Sequence, residues 1–92
     1  MPYVVVAYDI PDDGRRLRVA RALWGMIDRV QKSVFEGELE DPHLERLEER
    51  IRRLVRAGED QVRIYLLCAA CRRRIRSIGR SIPMEDPEVW IV

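Results

Sequence analysis

The sequence predicts an α+β fold, a ferredoxin-like β-α-β-β-α-β sandwich with an extra C-terminal strand exchanged in a homodimer. Three observations carry this. A β-branched run opens the chain at residues 3–7. Two segments with helical apolar spacing alternate with short strand-like ones. An apolar tail, residues 89–92, follows a linker bracketed by Pro83 and Pro87. The boundaries are a ferredoxin-like domain over residues 1–82 and a linker with exchanged strand over 83–92, one domain overall.

Taken in order, Val4, Val5 and Val6 with their flanking tyrosines read as a buried strand near the centre of a sheet. Pro11 cannot continue a central strand, so Asp9 stands on rigid backbone at the strand's end. A catalytic or metal-binding acid is well placed there, and so is an aspartate that merely starts a turn.

Asp12 or Asp13 can cap a helix whose apolar positions are Leu17, Ala20, Leu23, Trp24 and Ile27. Arg15, Arg18 and Arg21 follow one flank of it, with Arg16 to the side. They form either a solvated face or a phosphate-binding ridge beside Asp9. Gly25, near the helix end, weakens the helical pattern slightly.

Residues 28–39 read as two short antiparallel strands that break around 31–33, without an Asn-Gly turn. Gly37 in the second strand signals a bulge or a close backbone approach. Phe35 is suited to core packing or to stacking on a base.

Residues 41–57 form the clearest helix, with Asp41 as N-cap, Pro42 at the first helical position and Gly58 beyond the end. Leu44, Leu47, Ile51, Leu54 and Val55 make its buried stripe. Glu48 with Arg52 and Glu49 with Arg53 are acid-first i, i+4 pairs, which account for its charge without a ligand. Residues 60–68 are a further strand, with Val62, Ile64 and Leu66 on one face. Both helices then cover one side of the sheet, and the tail is the candidate to cover the other.

Cys68 and Cys71 form a C-x-x-C, but His43 is the only histidine and no second cysteine pair exists to close a four-ligand zinc site. The pair reads as small buried thiols. Arg72, Arg73, Arg74 and Arg76 form a basic cluster, and residues 77–80 a short strand. The closing Val89, Trp90, Ile91 and Val92 are too apolar for solvent and suit pairing with a partner's sheet edge, hence the symmetric homodimer.

Composition bounds the function. A 92-residue chain that is 47% apolar and 36% charged is one small globular domain rather than a disordered segment. A net charge of +1 creates no global basic field, so any nucleic-acid contact must come from local clusters. Lys32 is the only lysine among 17 basic residues. Arginine is the better phosphate fork, and arginine excess also accompanies heat adaptation. No stretch approaches the roughly 18 apolar residues of a membrane span, and the start lacks a signal-peptide layout, so a cytoplasmic protein without membrane contacts is expected.

The segments from Tyr8 to Asp13 with Arg15 and Arg16, from Arg29 to Gly37, from Val62 to Cys68, and the closing Trp90, Ile91 and Val92 together resemble the CRISPR-associated protein 2 family. The resemblance runs from end to end. It implies a ferredoxin-like dimer in which two first-strand aspartates face each other across the two-fold axis. It also implies a role in spacer acquisition with the integrase, CRISPR-associated protein 1, and binding to duplex DNA. Metal-dependent endonuclease activity on RNA or DNA belongs to some members. Carried onto this chain, Asp9 matches the metal-binding acid and Tyr8 the aromatic before it. Arg16, Arg18, Arg29 and Phe35 match positions lining the cleft.

Two functions of different class follow from that resemblance. One is a Mg²⁺-dependent endonuclease, an endoribonuclease or endodeoxyribonuclease, with the ion (or another divalent cation) held by paired Asp9 carboxylates and the backbone by Arg16, Arg18 and Arg29. The other is a non-catalytic adaptor, bridging the integrase and holding duplex DNA through Arg15, Arg18, Arg72, Arg73, Arg74 and Arg76. A small-molecule-sensing module of the same fold ranks last, for want of a Gly-rich ligand loop.

Overall fold

Residues 2–79 are described by a computed structural model of the chain. Their elements run β1 (Tyr3–Asp9), α1 (Asp13–Leu23), β2 (Asp28–Gln31), β3 (Val34–Glu38), α2 (Asp41–Leu54), β4 (Gln61–Leu67) and a short α3 (Ala69–Arg72). The sheet order is β2-β3-β1-β4, and every neighbouring pair is antiparallel. This is the ferredoxin-like arrangement. Strand β1 lies inside the sheet, as its β-branched run predicts.

The two-residue strand period divides β1 cleanly. Val4, Val6 and Tyr8 face the helices and are buried, whereas Tyr3, Val5, Ala7 and Asp9 face away. The core joins those three residues to Val19, Ala20, Ala22 and Leu23 of α1, Phe35 of β3, and Leu44, Leu47 and Ile51 of α2. Gly37 makes the close approach expected of it: a Cβ there would lie 2.8 Å from Ile27 Cγ2. The bulge lies elsewhere, in β2, where the register slips between Arg29 and Gln31.

Several local expectations change. The buried face of α1 is rotated from the predicted stripe. Arg15 and Val19 are buried, while Leu17 and Trp24 are only half-buried. The cause is an inward-directed guanidinium on Arg15, described below. Asp12 caps the helix by accepting the Arg15 N–H at 2.9 Å. At the other end Trp24 is the C-cap and Gly25 follows at φ 88°, a left-handed conformation that glycine adopts without strain. Ile27 is therefore buried from the loop, not from the helix.

Helix α2 starts at Asp41 with Glu40 as N-cap and no side-chain cap bond, not with Asp41 in that role. It ends at Leu54, three residues short of expectation. There the chain leaves the helix for a turn in which Asp60 Oδ2 accepts the Arg56 N–H at 2.9 Å and the Asp60 N–H donates to Arg56 O at 2.8 Å. That turn redirects the backbone into β4. The i, i+4 pairs form as predicted, Arg52 to Glu48 at 2.6 Å and Arg53 to Glu49 at 3.1 Å.

Beyond β4 the chain forms α3, which periodicity did not announce. Cys68 and Cys71 are both exposed, not buried. Residues 77–79 form no strand; Arg80 and the exchanged tail of residues 83–92 lie outside the described residues. No helix among the described residues is long and apolar enough to cross a membrane.

Candidate functional site

Asp9 ends β1 on the helix-free face and is exposed. It makes no hydrogen bond or ion pair among the described residues, which leaves its carboxylate available. Its cross-strand neighbour is Gln61 of β4, and Ala7 lies opposite Arg63. Residues opposite one another share a face, so Gln61 and Arg63 point to the same side as Asp9. Arg63 also lies over the Tyr65 ring at 5.7 Å. In the sequence both read only as strand residues. Their alternation with Val62 and Ile64 was the available signal, but the register to β1 was needed to place them beside Asp9.

The loop after Asp9 is braced by Arg16. Its guanidinium donates to Ile10 O at 2.9 Å and Pro11 O at 3.4 Å, and it pairs with Asp13. Arg16 thus holds the corner that presents Asp9. Arg18 is exposed and makes no hydrogen bond or ion pair among the described residues. It remains open to an external anion.

Arg15 has a different environment. Its Nε donates to Asp60 Oδ2 at 2.7 Å, and its Nη2 to Asp60 Oδ1 at 3.0 Å and Glu59 Oε1 at 3.2 Å. Its side chain is 11% exposed and that of Asp60 is 0%. The hydrogen bond from Arg15 holds the Asp60 carboxyl below its usual range. This bidentate fork ties α1 to the start of β4, in place of an external phosphate.

Tyr8, Arg29 and Phe35 lie on the inner side. Phe35 is 0% exposed, Arg29 5% and Tyr8 7%. The Tyr8 and Phe35 rings stack with centroids 6.4 Å apart. The Tyr8 hydroxyl donates to Lys32 O at 3.4 Å, and burial raises its pKa against the opposing charges of Arg29 and Arg16. These three residues support the strand that carries Asp9 rather than line an open surface.

The C-terminal arginines stand elsewhere. Arg72 sits over the Tyr3 ring at 4.3 Å and pairs with Glu38 at 3.1 Å. Tyr3 is at the opposite end of β1 from Asp9, about 20 Å away at the usual strand rise. Its hydroxyl donates to Glu36 at 2.9 Å, and burial, with that bond, pushes its pKa up to about 12. Arg73, Arg74 and Arg76 are exposed nearby in sequence. Within one chain, then, the predicted basic residues form two separate groups.

The sequence matches the family CRISPR associated protein Cas2 over residues 1–75. This chain belongs to the Cas2 family. It is 41% identical over 92 residues to CRISPR-associated endoribonuclease Cas2 1 of Chloroflexus aurantiacus, covering 98% of this chain and 99% of that one. Among solved structures, a hypothetical protein from Thermus thermophilus superposes with a TM-score of 0.76 at 40% identity, covering 91% of this chain and 98% of that one. A chain of a partial Cas6-RT-Cas1–Cas2 complex gives a TM-score of 0.72 at 28% identity, covering 85% and 91%.

A metal would have to fit a sparse donor set. Among the described residues no group of three or more His, Cys, Asp or Glu side chains could hold an ion. Asp12 is engaged as a helix cap and Asp13 by Arg16. At this corner Asp9 is the carboxylate left without a partner among the described residues, and one such hard oxygen donor fits Mg²⁺, which keeps several waters and takes one or two carboxylates plus phosphate.

Proposed function

We propose that this Cas2-family chain works in CRISPR adaptation as a homodimeric endonuclease, with two Asp9 carboxylates at the two-fold axis as its metal-binding centre. The observation that carries this reading is Asp9 itself, an exposed carboxylate on the rigid end of a central strand, with no hydrogen bond or ion pair among the described residues. It is supported by the Chloroflexus aurantiacus relative, which is named an endoribonuclease. The helix-free face carries Val5, Ala7, Val34 and Tyr65 interspersed with Glu36, Arg63 and Gln61, a mixed apolar and charged surface on which a second copy of the chain can pair. Such a pairing doubles the single acid.

A bound divalent ion supplies charge neutralisation at the scissile phosphate. The chain's own groups do the rest. Asp9 fixes where the phosphate is presented, and Arg16 keeps that corner rigid. Arg18 and Arg63 offer exposed guanidinium groups to the flanking backbone. Contacts of this kind read phosphates and carry no sequence information, so weak sequence preference is expected.

A second reading is favoured by the distance between the Asp9 corner and Arg72. Exposed Arg73, Arg74 and Arg76 lie with Arg72, remote from Asp9, where they suit an adaptor that holds duplex DNA and bridges the Cas1 integrase. The likeness to a chain of a Cas1–Cas2 complex supports it.

Cleavage of labelled single-stranded RNA and duplex DNA, with Mg²⁺ or chelator, separates the readings. Wild type and Asp9→Asn are purified in parallel. Mg²⁺-dependent cleavage lost in Asp9→Asn, with fold and dimer retained, is the expected result. Equal cleavage by both proteins would rule out this site, and no cleavage by either would leave the adaptor.

A further inference from the structure

The end of β4 carries a feature that the proposed nuclease does not use. Cys68 and Cys71 are the only cysteines of the chain and both are exposed. They stand one helical turn apart, where Cys68 is the N-cap of α3 and its Sγ accepts the Cys71 N–H at 3.4 Å. Side chains at i and i+3 on a turn are neighbours, which brings the two thiols to one side of it. Neither has a metal-ligating companion among the described residues.

We propose that Cys68 and Cys71 form a redox-active dithiol, which a small-molecule disulfide converts reversibly into an intramolecular disulfide. The Cys68 thiolate attacks one sulfur of the disulfide. A Cys68 mixed disulfide forms and the first small thiol leaves. Cys71 then loses its proton and attacks the Cys68 sulfur, forming the Cys68–Cys71 bond and expelling the second thiol. The protein dithiol is oxidised by two electrons, one disulfide is reduced to two thiols, and excess thiol reverses the sequence.

The order of attack follows from the local chemistry. Backbone N–H donation from Cys71, reinforced by the Cys71 thiol, favours the Cys68 thiolate and lowers its pKa. The same contact raises that of Cys71, chiefly through the side-chain hydrogen bond to Cys68. Cys68 is therefore the attacking sulfur and Cys71 the resolving one. An exposed pair of this type differs from an inert buried cysteine in both access and thiolate fraction.

Location makes the bond consequential. The turn lies between β4 and the C-terminal segment, and it carries Arg72 to the Tyr3 ring and Glu38. A disulfide across it removes the thiol that caps α3 and replaces a hydrogen bond with a covalent staple.

The test uses the full-length protein equilibrated with oxidised glutathione, quenched with acid, alkylated and examined by intact and tryptic mass spectrometry. Both cysteines fall in one tryptic peptide, residues 64–72, because Arg63 precedes it and Arg72 ends it. The expected product has lost both alkylatable thiols at once, is lighter by two hydrogens within that peptide, and regains both thiols with dithiothreitol. Cys71→Ser is expected to retain glutathione on Cys68, and Cys68→Ser to react more slowly at Cys71, because the residue 71 N–H stabilises a thiolate at position 68. Two thiols persisting in wild type, a stable glutathione adduct, or disulfide between chains would each overturn the proposal. Equal rates for the two variants would overturn the assignment of Cys68 as attacking sulfur.

Discussion

Replacing Gly37 by alanine tests the packing that sets β3 beneath the α1–β2 loop. The added methyl would stand 2.8 Å from Ile27 Cγ2, 3.0 Å from its Cβ and 3.3 Å from its Cα. Those atoms cannot swing aside: Ile27 is β-branched, its Cα is backbone, and the residue is only 5% exposed. Overpacking of this kind costs about 1–3 kcal/mol, while alanine in a strand recovers about 0.5–1 kcal/mol relative to glycine. The central values leave a net loss of about 1 kcal/mol, equivalent to about 4–8 °C in melting temperature for a domain of this size.

The decisive assay is a double-mutant cycle by urea unfolding at one protein concentration, so that self-association is held constant. Ile27→Ala alone should cost about 2–5 kcal/mol, because it opens a cavity. In the double variant the methyl at position 37 enters that space, and the total should fall short of the sum by about 1 kcal/mol. Additivity within about 0.3 kcal/mol, or a Gly37→Ala protein as stable as wild type, would refute the close approach.

Other predictions follow from the site. Phe35→Ala should destabilise by about 3–5 kcal/mol in urea titration, whereas a base-stacking role would instead weaken RNA binding at unchanged stability. Asp60→Asn should flatten the acid side of the stability profile. The Asp60 carboxyl titrates below its ordinary value of 3.8 in the fold, so its contribution is present above that pH and lost as pH falls through the lowered value. A variant with the wild-type acid slope would sink that assignment. Arg18→Ala should weaken nucleic-acid binding evenly across sequences and reduce the log–log salt slope by about 1; Arg15→Ala should leave that slope unchanged and lower thermal stability.

Asp9 and the basic residues show how much function was legible. The β-branched run and Pro11 place Asp9 at a strand end without any tertiary information, since strand preference and proline's missing N–H act locally. Arg15, Arg16 and Arg18 look alike in the sequence, yet they meet three different fates. Arg15 is spent on Asp60, Arg16 on its own loop, and Arg18 faces solvent. Phe35 and Arg29 matched cleft positions by resemblance and lie buried behind the strand. Cys68 and Cys71 read as buried in the sequence and stand exposed in the fold, because burial of a short segment after the last strand has no periodic signature.

The amino-acid sequence by itself determined the order of the four strands and two long helices, the ferredoxin-like class, the family, and the position of Asp9 at the end of β1. The elements, the class and the Asp9 position follow from signals within a few residues, side-chain period, caps and breakers, whereas the family rests on the resemblance of segments spread along the chain. Tertiary structure alone decided which arginines are free, because Arg15 finds its acid 45 positions away and Arg72 reaches back to Tyr3. It also decided where α2 stops, which polar groups share a face with Asp9, and that Cys68 and Cys71 are open to solvent. Ion pairing and exposure depend on what the register of distant strands brings alongside, and no local pattern encodes that.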